Sequence, residues 1–263
     1  MVFGIFFYHA QLSIPEMSGI KGVFFDLHGT ILLSDDIDGA WETWVHAFYD
    51  EMVRRGAKVG FDEFKIYLAN LFESDAPEFD EPGFTLFMRR VKELGHKLGI
   101  DFVSDEILPV VDKLVRLWHR DMYLDPETVP VLSKLKEGYV VGLITNWEHT
   151  PRIYELVDEL GMHDLFDSII VSDDVACSKP DPRIFHIALE RHGLKPSEAI
   201  YVGDMDVDVQ GALAAGLKPV LIQRIDSNGT WDPYSDKKET NYDPKIVSII
   251  HMLSDLPSIL GLD

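Results

Sequence analysis

The sequence predicts an α/β fold: a parallel sheet alternating with helices, with a helical segment inserted after the first strand. Short apolar, β-branched runs recur at Gly22 to Leu27, Val140 to Thr145, Ser168 to Ser172, Ala199 to Asp204 and Lys218 to Gln223, and helical patterns separate the later ones. Between Thr30 and about Tyr123 that alternation stops.

Taken in order, the opening MVFGIFFYHA is apolar but has no basic stretch and is too short to span a membrane. Neither a signal peptide nor an anchor is expected. Phe3, Phe6 and Phe7 are expected to pack against the protein, and Met17 offers a second possible start. The run from Gly22 to Leu27 is apolar on both faces, as are the four later ones, which suits strands covered on both sides. Within the insertion, Trp41, Trp44, Val45 and Phe48 share one helical face, as do Val111, Leu114, Val115 and Trp118. The acidic stretch Glu73 to Pro82, with prolines at 77 and 82, reads as a loop between helices. Helices are then expected at Glu127 to Lys136, Pro151 to Leu160, Pro182 to His192 and Val207 to Ala215. Gly138, Gly161, Gly193 and Gly216 fall just past their ends, where a left-handed residue is wanted. After Arg224 a polar, turn-rich loop (Asp226 to Asp236) leads to a short apolar segment, Lys245 to Leu253, whose pattern suits strand or helix.

A chain of 263 residues, 46% of them hydrophobic, is long enough for two domains or one large one. Its 24 basic and 45 acidic residues leave a net charge of -21, a field that repels phosphate at long range. No nucleic-acid and no membrane partner is therefore expected, and a phosphate-bearing ligand must be met by local positive charge. The single cysteine, Cys177, cannot form an internal disulfide, which fits a reducing cytoplasm. No internal repeat or low-complexity tract is visible.

Four of the five strands are followed closely by polar residues suited to phosphate chemistry: Asp26, Thr145 with Asn146, Lys179, and Asp204 with Asp206 and Asp208. In an open parallel sheet the carboxyl ends line one crevice, so residues far apart in sequence converge there.

The motifs FFDLHGTIL, LITN ending at Asn146, SKPDPRIF around Lys179 and VGDMDVDVQGA from Val202 to Ala212 resemble the haloacid dehalogenase superfamily. Its largest branch is magnesium-dependent phosphohydrolases. The resemblance runs from about Lys21 to Arg224 and implies a Rossmann-like three-layer core, residues 1–32 and 124–263, with an α-helical cap domain over 33–123. It implies that Asp26 attacks phosphorus and forms an aspartyl-phosphate that water then hydrolyses. Gly29, Thr145, Asn146 and Lys179 would bind the substrate phosphate, with Lys179 also neutralising charge on the transferring group and holding Asp26 ionised. Carboxylates crowded into one crevice call for a cation, and Mg²⁺ would be held by Asp26, the His28 main-chain carbonyl and Asp204, with Asp208 bound directly or one layer out. By spacing, Asp206 projects elsewhere and caps the next helix, while Gly203 and Gly211 serve the turn and close helix packing.

His28 departs from the superfamily pattern. Its phosphohydrolases carry an aspartate two residues after the nucleophile, which protonates the leaving oxygen and then activates water; dehalogenase relatives carry an aromatic or other non-acidic residue there. His28 either takes over the acid–base work, or fills space at a loss of roughly 10²- to 10⁴-fold in rate, or marks a binding or regulatory relative. The expected catalytic set is Asp26, His28, Thr145 and Lys179, acting on a small phosphorylated metabolite in the cytoplasm. The alternatives are a dehalogenase-type hydrolase, or a catalytically weak relative that binds phosphate and Mg²⁺. In the cap, Trp41, Trp44, Phe48 and Tyr49 are read as core and Arg89, Arg90 and Lys92 as a solvated face. His46, His96, His119 and His149 show no metal-ligand spacing, and the sequon at Asn228 is read as irrelevant in a cytosolic chain. Cap closure is expected about hinges near Leu33 and Leu124.

Overall fold

A computed structural model describes residues 17–77, 81–224 and 242–262. The segment holding Phe3, Phe6 and Phe7, the loop from Asp226 to Asp236 and the sequon at Asn228 lie outside the described residues.

Eight strands are present among the described residues: β1 (Gly22–Phe25), β2 (Leu32–Leu33), β3 (Tyr123–Leu124), β4 (Val140–Thr145), β5 (Ser168–Val171), β6 (Ala199–Gly203), β7 (Lys218–Ile222) and β8 (Ser248–Ile250). Six of them form one wholly parallel sheet in the order β5-β4-β1-β6-β7-β8. Strand β1 sits centrally, with Val23 opposite Val141 on one side and Ile200 on the other. The helices are α1 (Ile37–Arg54), α2 (Phe61–Glu73), α3 (Leu86–Lys97), α4 (Ser104–Trp118), α5 (Thr128–Leu135), α6 (Thr150–Glu159), α7 (Ser172–Val175), α8 (Pro182–His192), α9 (Asp206–Ala215) and α10 (Leu256–Ile259).

The unbroken apolarity of the strands has the expected cause. Alternate side chains enter two different cores: Val23, Phe25, Leu143 and Ile200 pack with α5, α6 and α10, whereas Phe24, Ile144 and Tyr201 pack with α8 and α9. The sheet is thus the middle of three layers, covered on both faces. Helices α1 to α4 bury a separate apolar cluster around Phe48, Phe64, Leu94 and Leu114, so the insertion has a core of its own. Asp36 starts α1 by accepting the Gly39 amide, and the Trp44 indole donates to the Leu114 carbonyl, fastening α1 to α4.

Two details depart from the sequence pattern. Gly161, Gly193 and Gly216 are left-handed, but Gly138 is not: the amides of residues 136 to 139 all reach back to the carbonyls of the last turns of α5, which unwinds through right-handed residues. The ambiguous C-terminal segment resolves as the edge strand β8, with Ser248 and Ile250 buried and Ile249 exposed. Leu33 and Leu124, the expected hinges, face one another's strands in the small antiparallel ribbon β2–β3 where the chain enters and leaves the cap.

Candidate active site

Asp26 follows directly on β1, and its amide is held by the Val202 carbonyl of β6 at 2.8 Å. Asp26 is 7% exposed. Across it lies Lys179, carried in by the loop after β5 and α7. The Lys179 Nζ is 2.7 Å from Asp26 Oδ1, 2.7 Å from Asp208 Oδ1 and 2.9 Å from the Tyr201 hydroxyl, so each of its three N–H bonds has a partner. The Tyr201 hydroxyl donates in turn to the Ile144 carbonyl at 2.7 Å. Burial opposes the charge on Lys179, but Asp208 and Asp26 outweigh it and raise its pKa. The ammonium is therefore the fixed positive charge of the crevice.

Asp26, Asp204 and Asp208 each offer an oxygen, and these oxygens lie within 4.8 Å of one another. Burial, then Asp208 and Asp26, push Asp204 well above the carboxylate range. Burial also lifts Asp208 to about 6 against the pull of Lys179. One lysine does not offset three buried carboxyls, and an all-oxygen donor set of this size suits a hard divalent cation.

The glycine turn makes room for this cluster. Gly29 is left-handed (φ +74°), and a Cβ there would stand 2.2 Å from Asp204 Oδ2. A Cβ on Gly203 would lie 2.4 Å from the Asp208 carboxyl carbon. Thr30, on the same turn as Gly29, donates to Asp204 Oδ1 at 3.1 Å. The expected helix cap is corrected: Met205 is the extended residue before α9, so the side chain that reaches back to its amide is Asp208, at 2.9 Å. Asp206 instead accepts from Gln210 and Tyr242.

Thr145 ends β4, 1% exposed, and its hydroxyl has no hydrogen-bond partner among the described residues. An orphaned buried hydroxyl at the end of a strand wants an oxygen ligand. The Asn146 side chain is engaged with the main chain of Lys179. Its Nδ2 donates to the Lys179 carbonyl at 3.0 Å and its Oδ1 accepts the Lys179 amide at 2.8 Å, which fixes the lysine loop.

The His28 ring meets the cap at His119. It lies near-parallel to Trp147 at 5.0 Å and to His119 at 5.2 Å, and the two histidine Nε2 atoms are 2.9 Å apart. His119 Nδ1 is 2.9 Å from the Val115 carbonyl, which can only accept, so that nitrogen carries the proton. In a neutral ring His119 Nε2 is then the acceptor, and His28 Nε2–H donates to it. Burial first, and the charge of Lys179 second, push His28 down to about 4.

The cap face of the crevice corrects two further expectations. Arg90 is buried, not solvated: its Nε bridges both oxygens of Glu148 at 2.9 and 3.0 Å, and its Nη1 donates to the Leu71 carbonyl at 2.5 Å. Of the four aromatics read as core, Trp44 and Phe48 are buried, but Trp41 is 43% exposed on the wall of a cavity of about 890 Å³ between cap and core. Tyr49 is partly buried and donates to the Val59 carbonyl. Thr30, His119, Trp147 and Tyr201 were not singled out as site residues by the motifs. Only Tyr201 carried a usable signal, a polar aromatic in an otherwise aliphatic strand.

The comparisons with known proteins agree with this geometry. A family model described as haloacid dehalogenase-like hydrolase matches residues 20–216. A glyceraldehyde 3-phosphate phosphatase of Methanothermobacter thermautotrophicus is 39% identical over 216 residues, covering 77% of this chain and 85% of that protein. Among solved structures, a phosphatase from Thermococcus onnurineus is 26% identical with a TM-score of 0.62, covering 93% of this chain and 99% of that one. A 2-haloacid dehalogenase from Pseudomonas syringae is 27% identical with a TM-score of 0.63, covering 92% and 98%. The matched span runs from β1 through Asp204 and Asp208 and encloses helices α1 to α4, and the chain belongs to the haloacid dehalogenase-like hydrolases.

Proposed function

We propose that the protein is a Mg²⁺-dependent phosphomonoester hydrolase, acting on a small phosphorylated metabolite through an aspartyl-phosphate at Asp26. The observation that carries this reading is the buried Lys179 held 2.7 Å from both Asp26 and Asp208, with Asp204 completing the carboxyl cluster. Attack on carbon in a dehalogenase needs no cation and gains nothing from the Asp204 and Asp208 pair. The relative named as a glyceraldehyde 3-phosphate phosphatase supports the same choice.

Asp26 would displace the alcohol in line and take the phosphoryl group onto its carboxylate oxygen; water then attacks phosphorus and restores the free carboxylate. Thr145 would donate its unpartnered hydroxyl to a phosphoryl oxygen, and Lys179 would balance charge on the transferring group. Mg²⁺, held by Asp26, Asp204 and the His28 carbonyl with Asp208 beside them, would neutralise phosphate charge. Asn146 acts on this chemistry through Lys179, as a positioning residue. The His28 ring, engaged with His119 and turned toward the cap, is read as a spacer and not as the proton donor.

The test is p-nitrophenyl phosphate hydrolysis, whose leaving group needs little protonation. Slow turnover is expected that requires Mg²⁺ and disappears in Asp26→Asn, with His28→Asp faster by about 10²-fold because its carboxylate would deprotonate the water that attacks the aspartyl-phosphate. Activity insensitive to chelation, or surviving Asp26→Asn, would overturn the reading; loss of activity in His28→Asp would restore His28 as the acid–base group.

A further inference from the structure

The cavity between cap and core is larger and more aromatic than a three-carbon phosphate requires. Its volume of about 890 Å³ falls in the upper range of clefts that enclose drug-sized ligands, roughly 300–1,000 Å³. Rings of Trp41, Trp44, Phe72, Phe87, Trp118 and Trp147 form its walls. Trp41 and Phe72 are each 43% exposed, so aromatic surface there faces water that a bound ring would displace.

The cavity meets the chemistry at one end. Asn146 and Ser178 line it, and they are the chain neighbours of Thr145 and Lys179. Trp147 belongs both to its wall and to the ring contact with His28. Through Trp147 and His28, two residues from Asp26, the cavity adjoins the site, and an ester phosphorylated there would extend its alcohol toward it.

The polar atoms of the lining indicate which chemistry fits. Two of the lining carboxylates are already engaged, Glu148 by Arg90 and Asp173 by the Leu86 amide at 2.7 Å and by Thr150, while Asp75 stands exposed at the rim. Two buried donors have no partner among the described residues, Arg89 Nε and Trp147 Nε1. Hydrogen-bond acceptors on a flat ring satisfy both, whereas a polyol would set hydroxyls against apolar rings with its own hydrogens unmatched.

We infer that the leaving group of the natural substrate carries a planar heteroaromatic ring with hydrogen-bond acceptors, seated among Trp41, Phe72 and Trp147 and anchored by Arg89. That the ring belongs to a leaving group rests on the phosphatase reading, and the binding arm tests the pocket apart from it. In the binding arm, full-length Asp26→Asn protein is titrated with 2-(quinolin-2-yl)ethanol, 2-(naphth-2-yl)ethanol and glycerol, followed by tryptophan fluorescence and calorimetry. The quinoline alcohol is expected to bind at least tenfold tighter than glycerol and tighter than the naphthalene, which lacks the acceptor. Arg89→Met and Trp41→Ala, both at partly exposed positions, are expected to weaken it at least fivefold while leaving circular dichroism unchanged; Phe72→Ala serves if either fails to fold.

In the turnover arm, the phosphates of the quinoline alcohol and of glycerol at its primary position are compared with Mg²⁺ present. Both leave as primary alcohols, so their demand for proton transfer is matched, and a KM at least tenfold lower for the quinoline ester is expected. Binding without turnover of any ester would sink the phosphatase reading and keep the pocket assignment. Equal binding of all three alcohols, indifference to Arg89→Met and Trp41→Ala, or an equal or lower KM for the glycerol ester would overturn the pocket assignment.

Discussion

The Tyr201 hydroxyl shows how much of the site depends on one uncharged atom. It accepts from Lys179 Nζ and donates to the Ile144 carbonyl, so its removal strands a buried ammonium hydrogen and a buried carbonyl together. Burial, with Asp26 and Asp208 nearby, raises its pKa, and the phenol stays neutral and able to donate. Tyr201→Phe is expected to cost about 1–3 kcal/mol in urea unfolding, the range for an orphaned buried polar group. It should also loosen Lys179, which would show as a lower kcat at nearly unchanged KM. A variant as stable as the parent would mean that water replaces the hydroxyl.

At the scale of elements, the cap meets the core where Arg116 of α4 pairs with Glu155 and Glu159 of α6, where His119 meets His28, and at two further places. One is the β2–β3 ribbon. The other is the start of α3, where the Phe87 amide meets the Glu148 carbonyl at 2.8 Å, the Leu86 amide meets Asp173 at 2.7 Å, and Thr85 meets His149 at 2.8 Å. Arg90, one turn further along, pairs with Glu148 and also holds the carbonyls at the end of α2. Because Glu148 is partly exposed, Arg90→Leu is expected to cost about 2 kcal/mol, less than the 3–5 of a fully buried pair. Faster hydrogen exchange should then appear at the end of α2 and the first turn of α3, and not in β4. Uniform acceleration across the sheet would show that this contact stabilises the whole molecule and not the cap alone.

For the whole molecule, pH acts through histidines held neutral in the fold. His149 is lowered by burial, against the charges of Asp173 on α7, Asp112 on α4 and Glu155 on α6, with Thr85 bonded to its Nδ1. The unfolded chain takes up a proton near pH 6.5 and the folded chain does not until lower pH, so stability is full above 6.5 and falls as the pH drops below it. Asp204 and Asp208, raised by burial, act in the opposite sense, so the His149 contribution is read by difference: His149→Asn, which keeps a polar atom toward Thr85, should lose less melting temperature from pH 7 to pH 5 than the parent. An unchanged slope would place the acid sensitivity in other groups.

Strand and helix patterning was legible because the five strands β1 and β4 to β7 are apolar on both faces and most of the helices are amphipathic, and both are properties of consecutive residues. The carboxyl ends of β1, β4 and β6 named Asp26, Thr145 and Asp204 for the same reason. Lys179 was found by its motif, but its pairing with Asp208 and Tyr201 depends on where the loop after β5 comes to lie. Arg90 read as solvated because its partner, Glu148, is 58 residues away on another element. By itself the sequence determined the layered sheet, the inserted helices and the carboxyl-bearing strand ends, since local periodicity dictates which faces must be buried. Only the tertiary structure decided that His28 faces His119, that Asn146 holds the lysine loop and that Trp41 lines a cavity, because each depends on contacts between segments that share no local pattern.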